Sequence, residues 1–284
     1  MSEKVTINDF LEMKEKEEPI TILTAYDHPT AKMIDEAGID SILVGDSVGN
    51  VILGYENTLP VTMNEMIHHT KAVTRATERS LVIGDMPFTS YQTSTSDAVK
   101  NAGRFIKEGK ASAVKVEGGR GVLDKVKAIT NAGIPVMGHL GLTPQWIHQF
   151  GGYKVQGKTH KAAKEILEDA KKLEEIGVFS LVLESVPREL AEIITRELRI
   201  PTIGIGAGPD CDGQVLVLQD ILGISGKSPT FVKKYVDLSP KIQEALNDFK
   251  EEVKSGEFPT KEHSFEMNEE ELESLKKKLS ESGD

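Results

Sequence analysis

The 284-residue chain carries 38% hydrophobic and 28% charged residues and a formal net charge of -11, enough apolar material for one large α/β barrel or two modest domains. That acidic balance disfavours nucleic acid and anionic membranes, no basic run reverses it, and no apolar stretch is long enough to span a bilayer. The polar start, Met1-Ser2-Glu3-Lys4, reads as no signal peptide, so a cytosolic protein is expected, and Cys211, the single cysteine, leaves any metal to oxygen or nitrogen ligands.

Residues 6–17 set Ile7, Phe10, Leu11 and Met13 at helical spacing, with Thr6 or Asn8 able to cap, and predict a leading helix. A β-type run over 20–25 is followed by Tyr26-Asp27-His28-Pro29 and by a helix over 30–37 that stops at Gly38. The second strand, 41–46, precedes a long Gly- and Asn-containing segment, 47–60, and a helix over 62–77. Strand 81–85 leads through Met86-Pro87-Phe88 and a Ser/Thr-rich stretch to a helix over 97–108. Strand 113–117 is followed by Gly118-Gly119 and a helix over 122–131, closed by Gly133. A fifth strand runs from 135 to 139, a helix covers 159–176, and strands follow at 180–184, 201–205 and 215–218.

Eight strands alternating with helices predict a (β/α)8 TIM barrel with an N-terminal helix and a C-terminal helical extension. An open doubly wound sheet is the competing topology. The barrel is preferred because Asp27, Asp46, Asp85, Glu117, His139 and Glu184 all fall at C-terminal strand ends, where such barrels place their chemistry. Residues 1–258 are expected to form one barrel domain including the terminal helices, with Phe231, Val232, Tyr235, Ile242, Leu246 and Phe249 packing a partly helical segment on the barrel or a neighbouring subunit. Residues 259–284, rich in Glu, Lys and Ser, are expected to be a marginal helix or disordered.

Acids converging on one barrel mouth repel each other unless a cation or protons neutralise them. Asp46, Asp85 and Glu117 therefore read as the environment of Mg2+ or a similar hard ion, against the plainer possibility that each caps a loop or pairs with a base. Lys115 shares the strand face of Glu117 and can hold a substrate oxygen, form a Schiff base, or neutralise that acid. His139 can hydrogen-bond a substrate oxygen, shuttle a proton, or serve structure alone. Glu184 is the candidate general base, its alternatives being a cap or a pair with Arg188. The glycines of 204–208 fit close backbone packing better than a phosphate cradle, and Cys211 has no basic neighbour that would make it a nucleophile.

The segments TAYD (24–27), VGDS (44–47), GDMPF (84–88), VKVEGG (114–119), GHLGLTPQ (138–145), GGYKVQG (151–157), LVLESVP (181–187) and IGIGAG (203–208) closely resemble the ketopantoate hydroxymethyltransferase family, in its order and over about residues 5–250. The resemblance implies a Mg2+-binding TIM barrel that takes a hydroxymethyl group from 5,10-methylenetetrahydrofolate, adds it to 3-methyl-2-oxobutanoate through a metal-stabilised enolate, and so supplies pantothenate and coenzyme A synthesis. Carried over by position, Asp46, Asp85 and Glu117 match the metal ligands, Asp46, Ser47, Asp85 and Lys115 the substrate contacts, and Glu184 the proton acceptor. Ser185 stands where the family often has cysteine. A homodecamer, a pentamer of dimers, is implied as well. Two rivals are a barrel of the isocitrate lyase and phosphoenolpyruvate mutase group, disfavoured by the lack of a cysteine loop at the mouth, and a non-catalytic barrel that binds a 2-oxo acid.

Overall fold

The computed structural model describes residues 3–226 and 228–281. Eight parallel strands close into a barrel: β1 (Ile20–Thr24), β2 (Ser41–Val44), β3 (Leu81–Asp85), β4 (Ala113–Glu117), β5 (Val136–Gly141), β6 (Ser180–Glu184), β7 (Thr202–Ile205) and β8 (Gly213–Leu216). Each pairs with the next, and β8 returns to β1 through Ile20↔Gly213 and Ile22↔Val215. The helices are α1 (Ile7–Glu15), α2 (His28–Glu36), the one-turn α3 (Val48–Val51), α4 (Met63–Thr74), α5 (Thr95–Lys107), α6 (Leu123–Asn131), the one-turn α7 (Ile147–Phe150), α8 (His160–Glu175), α9 (Arg188–Glu197) and the one-turn α10 (Leu218–Ile221). This is the expected barrel.

Successive side chains on a strand face opposite ways, so each strand contributes to two separate cores. Ile20, Ile22, Leu43, Leu81, Ile83, Ala113, Met137, Val182, Ile203 and Val215 form the inner one. Ile42, Val44, Val82, Val114, Val116, Leu140, Leu181 and Leu183, of opposite parity, pack with the helices. The leading helix has a definite task. Its Phe10 is fully buried in the inner core, 5.8 Å edge-on from Phe179 at the start of β6, so α1 covers the N-terminal end of the barrel. With that end filled by apolar side chains, the polar interior is confined to the opposite end.

Several expectations need correction. β2 ends at Val44, and Asp46 lies in the turn that follows, where its backbone N–H donates to Asp85 Oδ2 at 3.2 Å instead of extending the ladder. Asp27 is no mouth residue: it caps α2, its carboxylate accepting from the Thr30 N–H at 2.9 Å and hydroxyl at 2.8 Å, with Pro29 in the first turn. Helix α9, not foreseen, buries Leu190, Ala191 and Ile194. Strict alternation fails between β7 and β8, whose link over 206–212 contains no helix. There the glycines sit under other groups, since a Cβ at Gly206 would lie 2.6 Å from the Phe231 ring and one at Gly208 2.5 Å from Arg188 Cβ. Burial pushes the Cys211 thiol up, which keeps it inert.

The chain divides into two compact units, Met1–Tyr235 with the barrel and Val236–Asp284 with α11 (Ser239–Ser255) and α12 (Glu269–Glu281). In the second unit neither helix buries a residue, and Ile242, Leu246, Phe249 and Val253 lie exposed along α11.

Two local features can be tested. A methyl group at Gly84 would lie 2.2 Å from the buried Phe105 ring, so Gly84→Ala is expected to lower stability by about 1–3 kcal/mol in denaturant unfolding, and an unchanged midpoint would contradict that packing. Asp35 accepts the backbone N–H groups of Glu78, Arg79 and Ser80 at 2.7–3.2 Å. Burial alone would raise its carboxyl, but the amides of Ser80 and Glu78 outweigh burial and hold it below its ordinary value. Its contribution is therefore complete above the unfolded value of about 3.9 and lost as pH falls through the depressed folded value. Asp35→Ala should cost about 1–3 kcal/mol at pH 7, with the deficit closing toward pH 2 in acid-dependent melting curves.

Candidate active site

The inward parity that buries Leu81 and Ile83 carries on to Asp85, that of Ala113 to Lys115 and Glu117, that of Met137 to His139, and that of Val182 to Glu184. Register then makes neighbours of them: Asp85 pairs with Lys115, Glu117 with His139, and His139 with Val182. Asp46 and Ser47 enter from the turn after β2. Together Asp46, Ser47, Asp85, Lys115, Glu117, His139 and Glu184 line one cavity of about 220 Å³. All seven residues expected from sequence are thus gathered in one place, while Asp27 is not.

Lys115 Nζ lies 2.6 Å from Asp85 Oδ1 and 3.6 Å from Glu117 Oε1, with all three side chains almost wholly buried. Carboxylate oxygens of Asp46, Asp85 and Glu117, one from each, fall within 4.8 Å of one another. Burial, then the charges of Asp85 and Glu117, pushes the Asp46 carboxyl well above its ordinary range. Burial likewise raises Asp85, with Lys115 pulling against it. Glu117 goes the other way, because Lys115 and His139 overcome the effect of burial. Burial opposes charge on Lys115, yet the carboxylates of Asp85, Glu117 and Asp46 raise its pKa overall. One lysine thus leaves the acids short of positive charge. Three oxygen donors that close, with burial and neighbouring carboxylates raising the Asp46 carboxyl, fit a hard divalent ion of the Mg2+ kind.

His139 lies between two acids, Nδ1 at 3.2 Å from Glu117 Oε1 and Nε2 at 3.3 Å from Glu184 Oε2. Neither contact has hydrogen-bond alignment, so these are ion-pair distances without a directed bond. Burial and Lys115 work to discharge the ring, but the two glutamates prevail and bring it to about 9. Glu184 is the acid on the opposite side of His139 from the cluster, and its side chain keeps 17% exposure, so it can reach a ligand in the cavity. Ser47 Oγ is 2.8 Å from the Tyr26 hydroxyl, and a Cβ at Gly45 would lie 2.7 Å from that oxygen, which is why glycine precedes the Asp46-Ser47 pair. The remaining wall is mostly apolar, with Leu43, Val182, Ile205, Val215 and Phe231 among its residues. Cys211 does not line this cavity.

Gln145 and Tyr91 escape sequence reading. Gln145, 3% exposed, donates from Nε2 to Asp46 Oδ2 and to the Met86 carbonyl, both at 2.9 Å, and Tyr91 is fully buried against Gln145 and Glu117. Gln145 lies in the GHLGLTPQ segment, where its only sequence signal is an amide in a mostly apolar loop.

Because Lys115 is, among the described residues, the only ammonium in contact with Asp85 and Glu117, Lys115→Met should lower stability by about 3–5 kcal/mol at neutral pH. The deficit is expected to shrink on acidification, when the orphaned acids take up protons, as read by denaturant unfolding at pH 7 and pH 5. A deficit that ignores pH would mean that lost packing, not charge, is responsible.

Comparison with known proteins gives a concordant picture. The sequence profile described as ketopantoate hydroxymethyltransferase matches residues 4–261. The 3-methyl-2-oxobutanoate hydroxymethyltransferase of Syntrophomonas wolfei is 58% identical over 273 residues, 96% of this chain and 99% of its own. That of Clostridium novyi has the same identity and coverage, and that of Geobacter metallireducens is 58% identical over 93% of this chain and all of its own. Among solved structures, phosphonopyruvate hydrolase in complex with oxalate and Mg2+ superposes with a TM-score of 0.60 at 12% identity, covering 98% of this chain and 97% of that one. A 2,3-dimethylmalate lyase of the phosphoenolpyruvate mutase and isocitrate lyase superfamily superposes with a TM-score of 0.58 at 15% identity, covering 98% of both. At such identity these structures speak for the barrel fold alone.

Proposed function

The chain belongs to the ketopantoate hydroxymethyltransferase family and is a transferase, and from that premise we propose that it moves a hydroxymethyl group from 5,10-methylenetetrahydrofolate to C3 of 3-methyl-2-oxobutanoate, giving 2-dehydropantoate. The observation that carries the reading is the mouth itself: an Asp46, Asp85 and Glu117 cluster with Lys115 on one side of the cavity, and Glu184 across His139 from it.

Asp46, Asp85 and Glu117 would hold Mg2+, whose chemistry when bound is to draw electron density from the 2-oxo group and make the C3 hydrogen more acidic. Lys115 and Ser47 offer donors for the substrate carboxylate, and Asp85 keeps the lysine aimed into the cavity. Glu184 takes the proton from C3. His139, charged between Glu117 and Glu184, screens the metal acids from the base so that the base is not drawn into the ligand set. The electron pair left at C3 forms the new bond to the methylene carbon of the folate. The carbon–nitrogen bonds of that donor break, and a water molecule supplies the hydroxyl on the transferred carbon and one proton for the released nitrogens, the other being the proton that Glu184 took from C3. The apolar wall formed by Val182, Ile205 and Val215 suits the two methyl groups of the substrate.

Placement in pantothenate and coenzyme A synthesis, in the cytoplasm, belongs to the same reading. Among the described residues no helix is long and apolar enough to cross a membrane, and the acidic composition argues against nucleic-acid partners. We extend the reading to a homo-oligomer, a decamer built as a pentamer of dimers, supported by the apolar residues exposed along α11.

With Mg2+ and both substrates, mass spectrometry should find 2-dehydropantoate. Glu184→Gln should lower kcat by about 10²–10⁴-fold while leaving binding of the 2-oxo acid nearly unchanged. Absence of product from the wild-type protein under these conditions would sink the proposed reaction, and full turnover by the variant would remove Glu184 as the base.

A further inference from the structure

We propose that Gln145 is a positioning residue that sets two of the three acids, Asp46 and Glu117, as cation ligands, an inference that rests on the metal reading above. Its side-chain amide uses its whole hydrogen-bonding capacity. Nε2 donates to Asp46 Oδ2 and the Met86 carbonyl at 2.9 Å each, and Oε1 accepts from the Tyr91 hydroxyl at 2.8 Å and from Gln92 Nε2 at 3.0 Å. Turning the amide over would set its oxygen against a carboxylate and a carbonyl, so only one orientation is tolerated.

The backbone of the same residue acts on a second acid. Gln145 N–H donates to Glu117 Oε2 at 3.1 Å, leaving Oε1 toward Lys115 and His139. Tyr91 ties the two ends together: its hydroxyl sits 3.0 Å from the Glu117 carbonyl, accepts from the Glu117 N–H at 3.2 Å, and donates to Gln145. One side chain and its own N–H therefore fix one oxygen of Asp46 and one of Glu117, and free the other oxygen of Asp46 for an ion. Asp85 needs no such help, because Lys115 and the Asp46 N–H already hold its two oxygens. Groups that orient ligands in this way, without touching the ion, govern metal affinity.

The test is the affinity for Mn2+ alone, read from free-ion paramagnetic resonance on the full chain, alongside the melting temperature. The wild-type protein is expected to bind one Mn2+ per chain. Gln145→Leu should weaken that affinity by about 10–100-fold. Tyr91→Phe, which leaves the amide in place but removes its donor, should weaken it by about 2–10-fold. If Gln145→Leu does not fold, Gln145→Met keeps the length and volume and serves in its place. Variants that melt earlier yet bind Mn2+ as tightly as the wild type would overturn the inference alone, reducing Gln145 to packing. A wild-type protein that binds no Mn2+ would overturn the metal reading and this inference together.

Discussion

The barrel mouth depends on one imbalance of charge. Asp46, Asp85 and Glu117 are each at most 4% exposed, and among the described residues the only ammonium beside them is that of Lys115. Burying ionised carboxylates costs several kcal/mol each unless they are paired, so the fold either carries a proton on the site or leaves room for a cation. Burial and its two acidic neighbours drive Asp46 toward the protonated form, which is the condition a hard divalent ion relieves. The inert, apolar end of the barrel, closed by Phe10 against Phe179, carries none of this tension. Stability is thereby concentrated at one end and reactivity at the other.

The same imbalance sorts the acids by task. Those within reach of Lys115 are held by it and by fixed N–H groups, while Glu184 stands apart beyond the His139 ring with part of its side chain exposed. His139 occupies the ground between Glu117 and Glu184, a separation that the proposed division between metal ligands and base requires. Lys115 donates to Asp85 at 2.6 Å and the surrounding carboxylates raise its pKa, so the burial-driven loss of the proton that a Schiff-base lysine needs is absent.

Much of this was legible in the sequence, for a definite reason. Period-two alternation fixes the parity of a strand, so Leu81-Val82-Ile83-Gly84-Asp85 announces that its last residue shares the inner face with its first. The same rule, applied more strictly, rejects Asp27: the inner face of β1 is Ile20, Ile22 and Thr24, and an aspartate three residues on, followed by His28-Pro29, has the signature of a helix cap. The missing helix between β7 and β8 follows from a link of seven residues, too short for one packed on the outside, over 206–212. Gln145 could not be found this way. It lies six residues past His139, beyond the reach of strand parity, and its importance comes from a loop path that only three-dimensional packing defines. Asp46 reaches the mouth, as strand-end position suggests, but a turn and not the strand itself delivers it.

The central claim is that this mouth makes C3 of a 2-oxo acid exchange its proton before any one-carbon unit arrives. Proton NMR of 3-methyl-2-oxobutanoate in D2O, with the protein and Mg2+ but no folate, tests it most directly. The account predicts that the C3 hydrogen signal disappears, and that chelator or Glu184→Gln preserves it. Persistence of the signal in the presence of protein and Mg2+ without folate would contradict the account.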